Sequence, residues 1–373
     1  MVDTLEEHLS YLQIAGRADL YRAAISDSVA AGDVVADLGC GLGVLGIYCL
    51  EEGARHVYGI DHSDAIDLAR ETMARAGLSD RYTCIANSTF RTRLPEPADV
   101  LICDHVGYFG MDYGILAMLR DASHRMLTPG GVIVPRAIAP VVAGVSSDAC
   151  RDLAEEWSAG AIPEVYRWLD CHQRNSKHAR FFEPGELCSA PLAFPDIVTG
   201  PDIQDFFVME GKLTATRACR FDGLAGWFDC QLSEGVSMTN APGVENAIER
   251  NQVFLPCADP FDVAPGDSIG VTLKFRIDGD MIAWTVTAPD GDAQTMSTWH
   301  SRILTPSDLA ANTGRPLART SIGEARAKLL ELVDGTRTAD DIAHSLLAAY
   351  PDLFPSEDEL RRFVARELAS SAR

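Results

Sequence analysis

The sequence predicts an α/β chain: a parallel sheet wrapped by crossover helices, then a β-barrel or sandwich, then a small helical module. Three observations lead there. Short β-branched or apolar runs alternate with helix-like stretches across residues 34–135, the pattern of parallel strands joined by helices. After Pro135 the chain turns to β-rich pieces separated by Pro, Gly and Asp. Beyond about residue 304, apolar residues recur three and four apart, the spacing of one helical face.

In the first part, 34–37, 56–61, 82–86 and 100–104 read as strands, and 127–135 adds a Pro-Gly turn and a fifth. Helical spacing occupies 46–52 and 65–76 between them. In the second part, 139–145, 270–277 and 281–287 read as strands, and 152–169 is a helical interruption. The last two strands form a hairpin around Asp278-Gly279-Asp280, where Asp-Gly supplies the turn chemistry. In the third part, 325–333, 338–350 and 356–370 read as short helices, with Gly335 and Pro351 as breakers.

Length and composition suit a compact enzyme of more than one domain, since 373 residues exceed the usual single domain. Fifty-four acidic against 32 basic residues give a formal charge of −22, which argues against nucleic acid or an anionic membrane as partner. A cationic or neutral substrate is easier to accommodate. The acidic start at Asp3, Glu6 and Glu7 is unlike a signal peptide, and no apolar run is long enough to span a bilayer, so a cytoplasmic location is expected. The ten cysteines are scattered without Cys-x-x-Cys pairs, which predicts buried free thiols and no metal site.

The chemistry concentrates in Asp37-Leu38-Gly39-Cys40-Gly41-Leu42-Gly43, between a strand and a helix. Glycines there remove the Cβ atoms that would block a nucleoside, and the following helix offers free N–H groups. Asp61 ends the next strand, eighteen residues beyond Gly43, where it can accept hydrogen bonds from both ribose hydroxyls. A nicotinamide dinucleotide, a flavin or S-adenosylmethionine would each fit a bare turn of this kind. Asp37, aimed at an amino-acid ammonium, favours S-adenosylmethionine.

Several stretches together resemble the protein arginine methyltransferases, from about residue 8 to residue 299. They are His8-Leu9-Ser10-Tyr11, Arg17-Ala18-Asp19-Leu20-Tyr21, the glycine turn, and Gly53-Ala54-Arg55-His56-Val57-Tyr58-Gly59-Ile60-Asp61-His62-Ser63. The resemblance implies a Rossmann-like class I methyltransferase sheet followed by a β-barrel. By it, Arg17 would pair with the methionine carboxylate, and Asp37, Gly39, Gly41 and Gly43 would hold the amino-acid end. Asp61 with His62 would take the ribose, His8 and Tyr11 would line the lid, and Asn87 and Ser88 would contact the adenine. It further implies N-terminal covering helices over 1–30, a cofactor domain over 31–136, and a barrel domain over 137–303. A dimerisation arm near 152–182 would make the chain a homodimer.

The acceptor side departs from that family. Its loop carries two glutamates that clamp a guanidinium; here the first position is Asp104 and the second Tyr113, around a retained Gly107-Tyr108. Where the family has a Thr-His-Trp loop, this chain has Ala247-Ile248-Glu249. Glu249 can supply the second carboxylate, with arginine as acceptor; otherwise the acceptor is another nitrogen or oxygen, with His105 or Asp104 as general base. Asp112 and Arg250 are expected as solvated charges. Residues 318–373 resemble the small PqqD-like modules that hold precursor peptides, through Leu332-Val333-Asp334-Gly335-Thr336-Arg337-Thr338; a helical cap or dimer contact is the other reading. The expected activity is methyl transfer to a heteroatom, nitrogen before oxygen, of a peptide or protein side chain in a specialised biosynthetic pathway. Free arginine or another small molecule, and an inert cofactor-binding regulatory protein, are the alternatives.

Overall fold

The computed structural model describes residues 4–278, 281–301 and 318–371. They form two compact units, divided between Arg302 and Ile303.

The larger unit opens with α1 (Thr4–Leu12) and α2 (Arg17–Ser28). A five-stranded sheet follows, made of β1 (Val34–Leu38), β2 (His56–Asp61), β3 (Tyr82–Ala86), β4 (Ala98–Ile102) and β5 (Leu127–Val134) in the order β3-β2-β1-β4-β5. Every neighbouring pair is parallel. Its crossovers carry α3 (Val44–Glu52), α4 (Ala65–Arg75) and α5 (Ile115–Arg125). All five residues of β1 are buried, as a central parallel strand covered on both faces requires. The chain steps from β1 outward to β2 and later returns on the other side as β4, leaving a crevice at the carboxyl ends of these strands.

Antiparallel strands follow: β6 (Ala137–Val145), β7 (His178–Arg180), β8 (Leu192–Ala193), β9 (Ile197–Val198), β10 (Phe206–Thr214), β11 (Cys219–Gln231), β12 (Ser237–Thr239), β13 (Gln252–Val263), β14 (Ser268–Arg276), β15 (Ile282–Thr287) and β16 (Ala293–Ser297). A seven-stranded sheet runs β7-β13-β11-β6-β8, with β12 beside β11 and β9 beside β6, and a four-stranded sheet runs β10-β14-β15-β16. The β14–β15 pair expected as a hairpin is present; Gly279 and Asp280 of its turn lie outside the described residues. Between β6 and β7 stand α6 (Asp148–Ala154), two short 3-10 turns, and α7 (Asp170–Gln173).

One hydrophobic cluster joins the parallel sheet to both antiparallel sheets. Phe109, in the loop after β4, is fully buried in it, and a Cβ on Gly226 of β11 would lie 2.7 Å from its ring. The absence of a side chain at Gly226 therefore seats the loop after β4, and burying a phenyl ring of this size is worth about 1.5–3 kcal/mol.

The smaller unit holds α8 (Ser321–Leu332), α9 (Ala339–Ala349) and α10 (Glu357–Ser371). Thr338 and Asp341 form a reciprocal capping box at the start of α9, satisfying amides that the helix leaves unpaired. Leu329, Ile342, Leu346, Leu360 and Phe363 make its own core.

Two expectations need correction. Strand β4 ends at Ile102, so Asp104 belongs to the loop. Seven cysteines are buried, but Cys84 and Cys219 are half-buried and Cys171 is exposed. Among the described residues no helix is long and apolar enough to cross a membrane.

Candidate active site

The glycine turn bends the chain from β1 into α3. Gly39, Gly41 and Gly43 all take positive φ, at 67°, 52° and 81°. At Gly39 the requirement is also spatial: a Cβ there would stand 2.1 Å from Cε1 of His105. The amides of Gly39 and Cys40 donate to the carbonyl of Ile60, at 2.8 and 3.1 Å, which docks the turn on the end of β2.

Asp61 then faces the same crevice. Its Oδ2 accepts from the Gly41 amide at 2.9 Å, and its Oδ1 from the amide and hydroxyl of Ser63, at 2.8 and 2.7 Å. Burial works to raise its pKa, and the hydrogen bonds from Ser63 and Gly41 outweigh that, holding it below the usual carboxylate value. It is an ionised acceptor with lone-pair capacity beyond these three bonds. His62 beside it is exposed. Asn87 is exposed and Ser88 half-buried, and the Asn87 amide donates to the Asp61 carbonyl at 3.0 Å, which ties the end of β3 to the same edge.

Asp37 departs from expectation. Its Oδ2 accepts from the Gly46 amide at 3.0 Å and the Tyr82 hydroxyl at 3.4 Å, and burial raises its pKa to about 7. It braces the start of α3 from inside rather than offering an open carboxylate to a ligand.

Helix α1 lies over the turn. A Cβ on Gly41 would stand 2.8 Å from Cε1 of His8, and the rings of His8 and Tyr11 are 6.5 Å apart.

On the acceptor side, Asp104 is held from three directions. Arg17 Nε donates to its Oδ2, the Tyr21 hydroxyl to its Oδ1 at 2.7 Å, and Arg250 Nη1 stands 3.9 Å from Oδ1. Burial would raise its pKa, but the charges of Arg17 and Arg250 with the Tyr21 hydrogen bond hold it below the ordinary value. The expectation of Asp104 as an open clamp or base is thereby corrected, because each of its oxygens already accepts a hydrogen bond within the chain and its charge is shared between two arginines. Arg17, expected at the methionine carboxylate, spends Nε on this pair. Tyr21 was missed, yet it sits four residues after Arg17 on α2 and so shares its face.

His105 packs on the glycine turn, with Nδ1 3.6 Å from the Cys103 sulfur. Burial lowers its pKa, so the imidazole is neutral near pH 7. Tyr113 is the only non-glycine residue with positive φ among the described residues, at 61°. Its exposed ring lies 5.9 Å from Tyr108 and 5.8 Å from the Lys177 ammonium. Asp112 is buried rather than solvated; it accepts from the amides of Tyr108 and Phe109, both at 3.1 Å, and so closes the loop on itself.

Before β13 the side chains alternate. Ile248 is buried, Glu249 exposed and Arg250 buried. Glu249 therefore does not bring a second carboxylate to Asp104; Arg250 brings a cation instead, with its guanidinium 5.5 Å from the Tyr11 ring. The polarity of the Glu249-Arg250 pair hid this, since only the direction of each side chain separates a surface charge from a site charge.

Comparison with known proteins agrees with this geometry. Residues 35–131 match the family described as "Methyltransferase domain". A probable protein arginine N-methyltransferase 6 of Arabidopsis thaliana is 29% identical over 61% of this chain and 54% of its own; the chain thus spans about half the length of that relative. Protein arginine N-methyltransferase 1 of Saccharomyces cerevisiae is 27% identical over 70% of this chain and 78% of its own. Among solved structures, the Trypanosoma brucei protein arginine methyltransferase 1 enzyme-prozyme heterotetrameric complex with AdoHcy superposes with a TM-score of 0.69 at 19% identity, covering 78% of this chain and 97% of that one. Arabidopsis thaliana protein arginine methyltransferase 10 gives 0.64 at 20% identity, covering 77% and 96%. Residues 35–131 therefore match a methyltransferase domain, and the chain resembles the protein arginine methyltransferases over most of its length.

Proposed function

We propose that this chain transfers a methyl group from S-adenosylmethionine to a heteroatom of a peptide or protein side chain, in a specialised biosynthetic pathway. The observation that carries the reading is the meeting, at the carboxyl ends of three adjacent central strands, of the glycine turn after β1, the ionised Asp61 at the end of β2, and the Asp104–Tyr113 loop after β4.

These residues fit the cofactor. Gly39, Gly41 and Gly43 leave its amino-acid end room, Asp61 keeps lone pairs for the ribose, and Asn87 and Ser88 border the adenine side with His62. His8 and Tyr11 cover it from α1. When bound, it supplies a methyl carbon made electrophilic by its sulfonium. The chain contributes alignment and the exclusion of water, and neutral His105 can take a proton from an acceptor that carries one.

An arginine acceptor suits the names of the relatives but not this loop. A guanidinium acceptor needs a carboxylate free to take its fork of N–H groups, whereas Asp104 is already paired, Tyr113 is neutral and Glu249 is exposed. The same reading takes 1–30 as cover, 31–136 as cofactor domain, 137–303 as a substrate domain closed like the family's barrel, and 318–373 as a peptide-holding module. The exposed Val165, Tyr166 and Trp168 in the arm support a homodimer.

Titration calorimetry with S-adenosylhomocysteine tests the reading. Uptake is expected, with Asp61→Ala weakening it by about tenfold or more, the loss of one or more strong hydrogen bonds. No uptake by the pure protein overturns it.

A further inference from the structure

We infer that Arg250 is the anion-binding residue of the acceptor site, and that the group methylated is a carboxylate, on oxygen. This rests on the methyltransferase reading above and narrows its acceptor.

The Arg250 side chain is 6% exposed, yet among the described residues its Nε and Nη1 have no hydrogen-bond partner. Among the described residues its ion-pair partner is Asp104, at 3.9 Å, beyond hydrogen-bonding reach and already bonded by Arg17 and Tyr21. Its other neighbour is the face of Tyr11, which offers attraction but no lone pair for those N–H groups. A buried guanidinium left with free donors is costly, and a chain keeps such a group where a ligand completes it.

The local charge points the same way. Arg17 and Arg250 both face Asp104, with His105 neutral, so one carboxylate stands between two guanidinium groups. A guanidinium or ammonium acceptor would meet a like charge there without water to screen it. A carboxylate matches the planar fork of arginine in both shape and sign.

The chemistry also becomes simpler. A carboxylate is deprotonated near neutral pH, so it needs neither the paired glutamates this loop lacks nor a base. With one oxygen accepting from Arg250, the other supplies the electron pair for a new C–O bond. The methyl–sulfur bond of the sulfonium breaks with its pair left on sulfur, the product is a methyl ester, and no proton moves.

The test uses the full chain and two pools of random peptides with methyl-labelled S-adenosylmethionine. One pool contains Asp, Glu and free C-termini; the other contains Arg, Lys and His, with Asn and Gln for the acids and amidated ends. Label is expected in the first pool only and released as methanol in mild alkali. Arg250→Met is expected to reduce it at least about thirtyfold, as loss of a buried charge partner does, with Arg250→Lys restoring part. S-adenosylhomocysteine affinity, read by calorimetry, should change less than about threefold, far below a full charge-pair loss. Arg250→Met gives up the Asp104 charge at 3.9 Å and the face of Tyr11, so a retained cooperative melt serves as the control that the variant folds. Alkali-stable label, label in the second pool, no label with cofactor bound, or a tenfold loss of cofactor affinity in Arg250→Met each overturn the inference. Failure of wild type to bind the cofactor would sink the methyltransferase reading instead.

Discussion

Arg17 and Asp104, 87 residues apart in the chain, meet as a buried ion pair that fastens the first turn of α2 to the loop after β4. The contact couples the N-terminal helices to the loop after β4. Removing one member leaves the other charged and buried, which costs about 3–5 kcal/mol. Urea denaturation should therefore find Arg17→Met destabilised by roughly 3 kcal/mol, and the double variant Arg17→Met with Asp104→Asn should recover much of that. Additive losses in the double variant would show that the two side chains are not coupled.

The same pair has a defined pH dependence. The Asp104 pKa lies below its ordinary value in the folded chain, so its stabilisation is present above the unfolded pKa and is lost as pH falls through the folded one. Thermal melts should show the gap between wild type and Arg17→Met narrowing as pH drops from about 5 to about 3, the range where a carboxylate titrates. A gap that stays constant over that range is the contrary result.

Asp37 works in the opposite sense. Burial raises it from 3.8 to about 7, so the folded chain holds a proton that the unfolded chain releases between those values. Stability accordingly falls as pH rises from about 4 to about 7, and the penalty persists above that. Asp37→Asn, neutral throughout, should flatten this slope in melts between pH 5 and pH 8. Parallel curves for the two proteins would contradict the raised value.

Gly39 cannot accept a side chain in place. Alanine there would clash with His105 and sit at a φ of 67°, a conformation costing about 1–2 kcal/mol for L-residues. Calorimetry should find Gly39→Ala at least about tenfold weaker for S-adenosylhomocysteine, the equivalent of about 1.4 kcal/mol. Adding His105→Ala should recover part of the loss by relieving the clash. No recovery would assign the whole effect to the backbone.

The proposed arm interface can be read from size in solution. Val165 is 74% exposed and Trp168 53%, apolar area that a two-fold contact would cover. Sedimentation should give a dimer for wild type and a monomer for Tyr166→Glu with Trp168→Glu. Identical profiles would remove the arm from the interface.

Much of the parallel sheet was legible because periodicity is local. Strands β1, β2 and β3 and the three C-terminal helices lie within a residue or a few of where alternation and helical spacing put them. Positive-φ glycines announce a tight turn wherever it folds, and Asp61 follows at the distance a crossover helix dictates. The acceptor side was not legible in this way. Asp104, Asp112, Glu249 and Arg250 are all charges in loops, and nothing in their immediate neighbours tells a buried charge from a solvated one.

Sequence alone determined the class of fold and the position of the glycine turn, because hydrophobic period and glycine placement act over a few residues. Tertiary structure decided which charges enter the site. Arg17, Tyr21, Asp104 and Arg250 come from one helix and two loops as far apart as residues 17 and 250, and their pairing follows from burial: once water is withdrawn, a carboxylate must find its partners among whatever cations the packing brings near it.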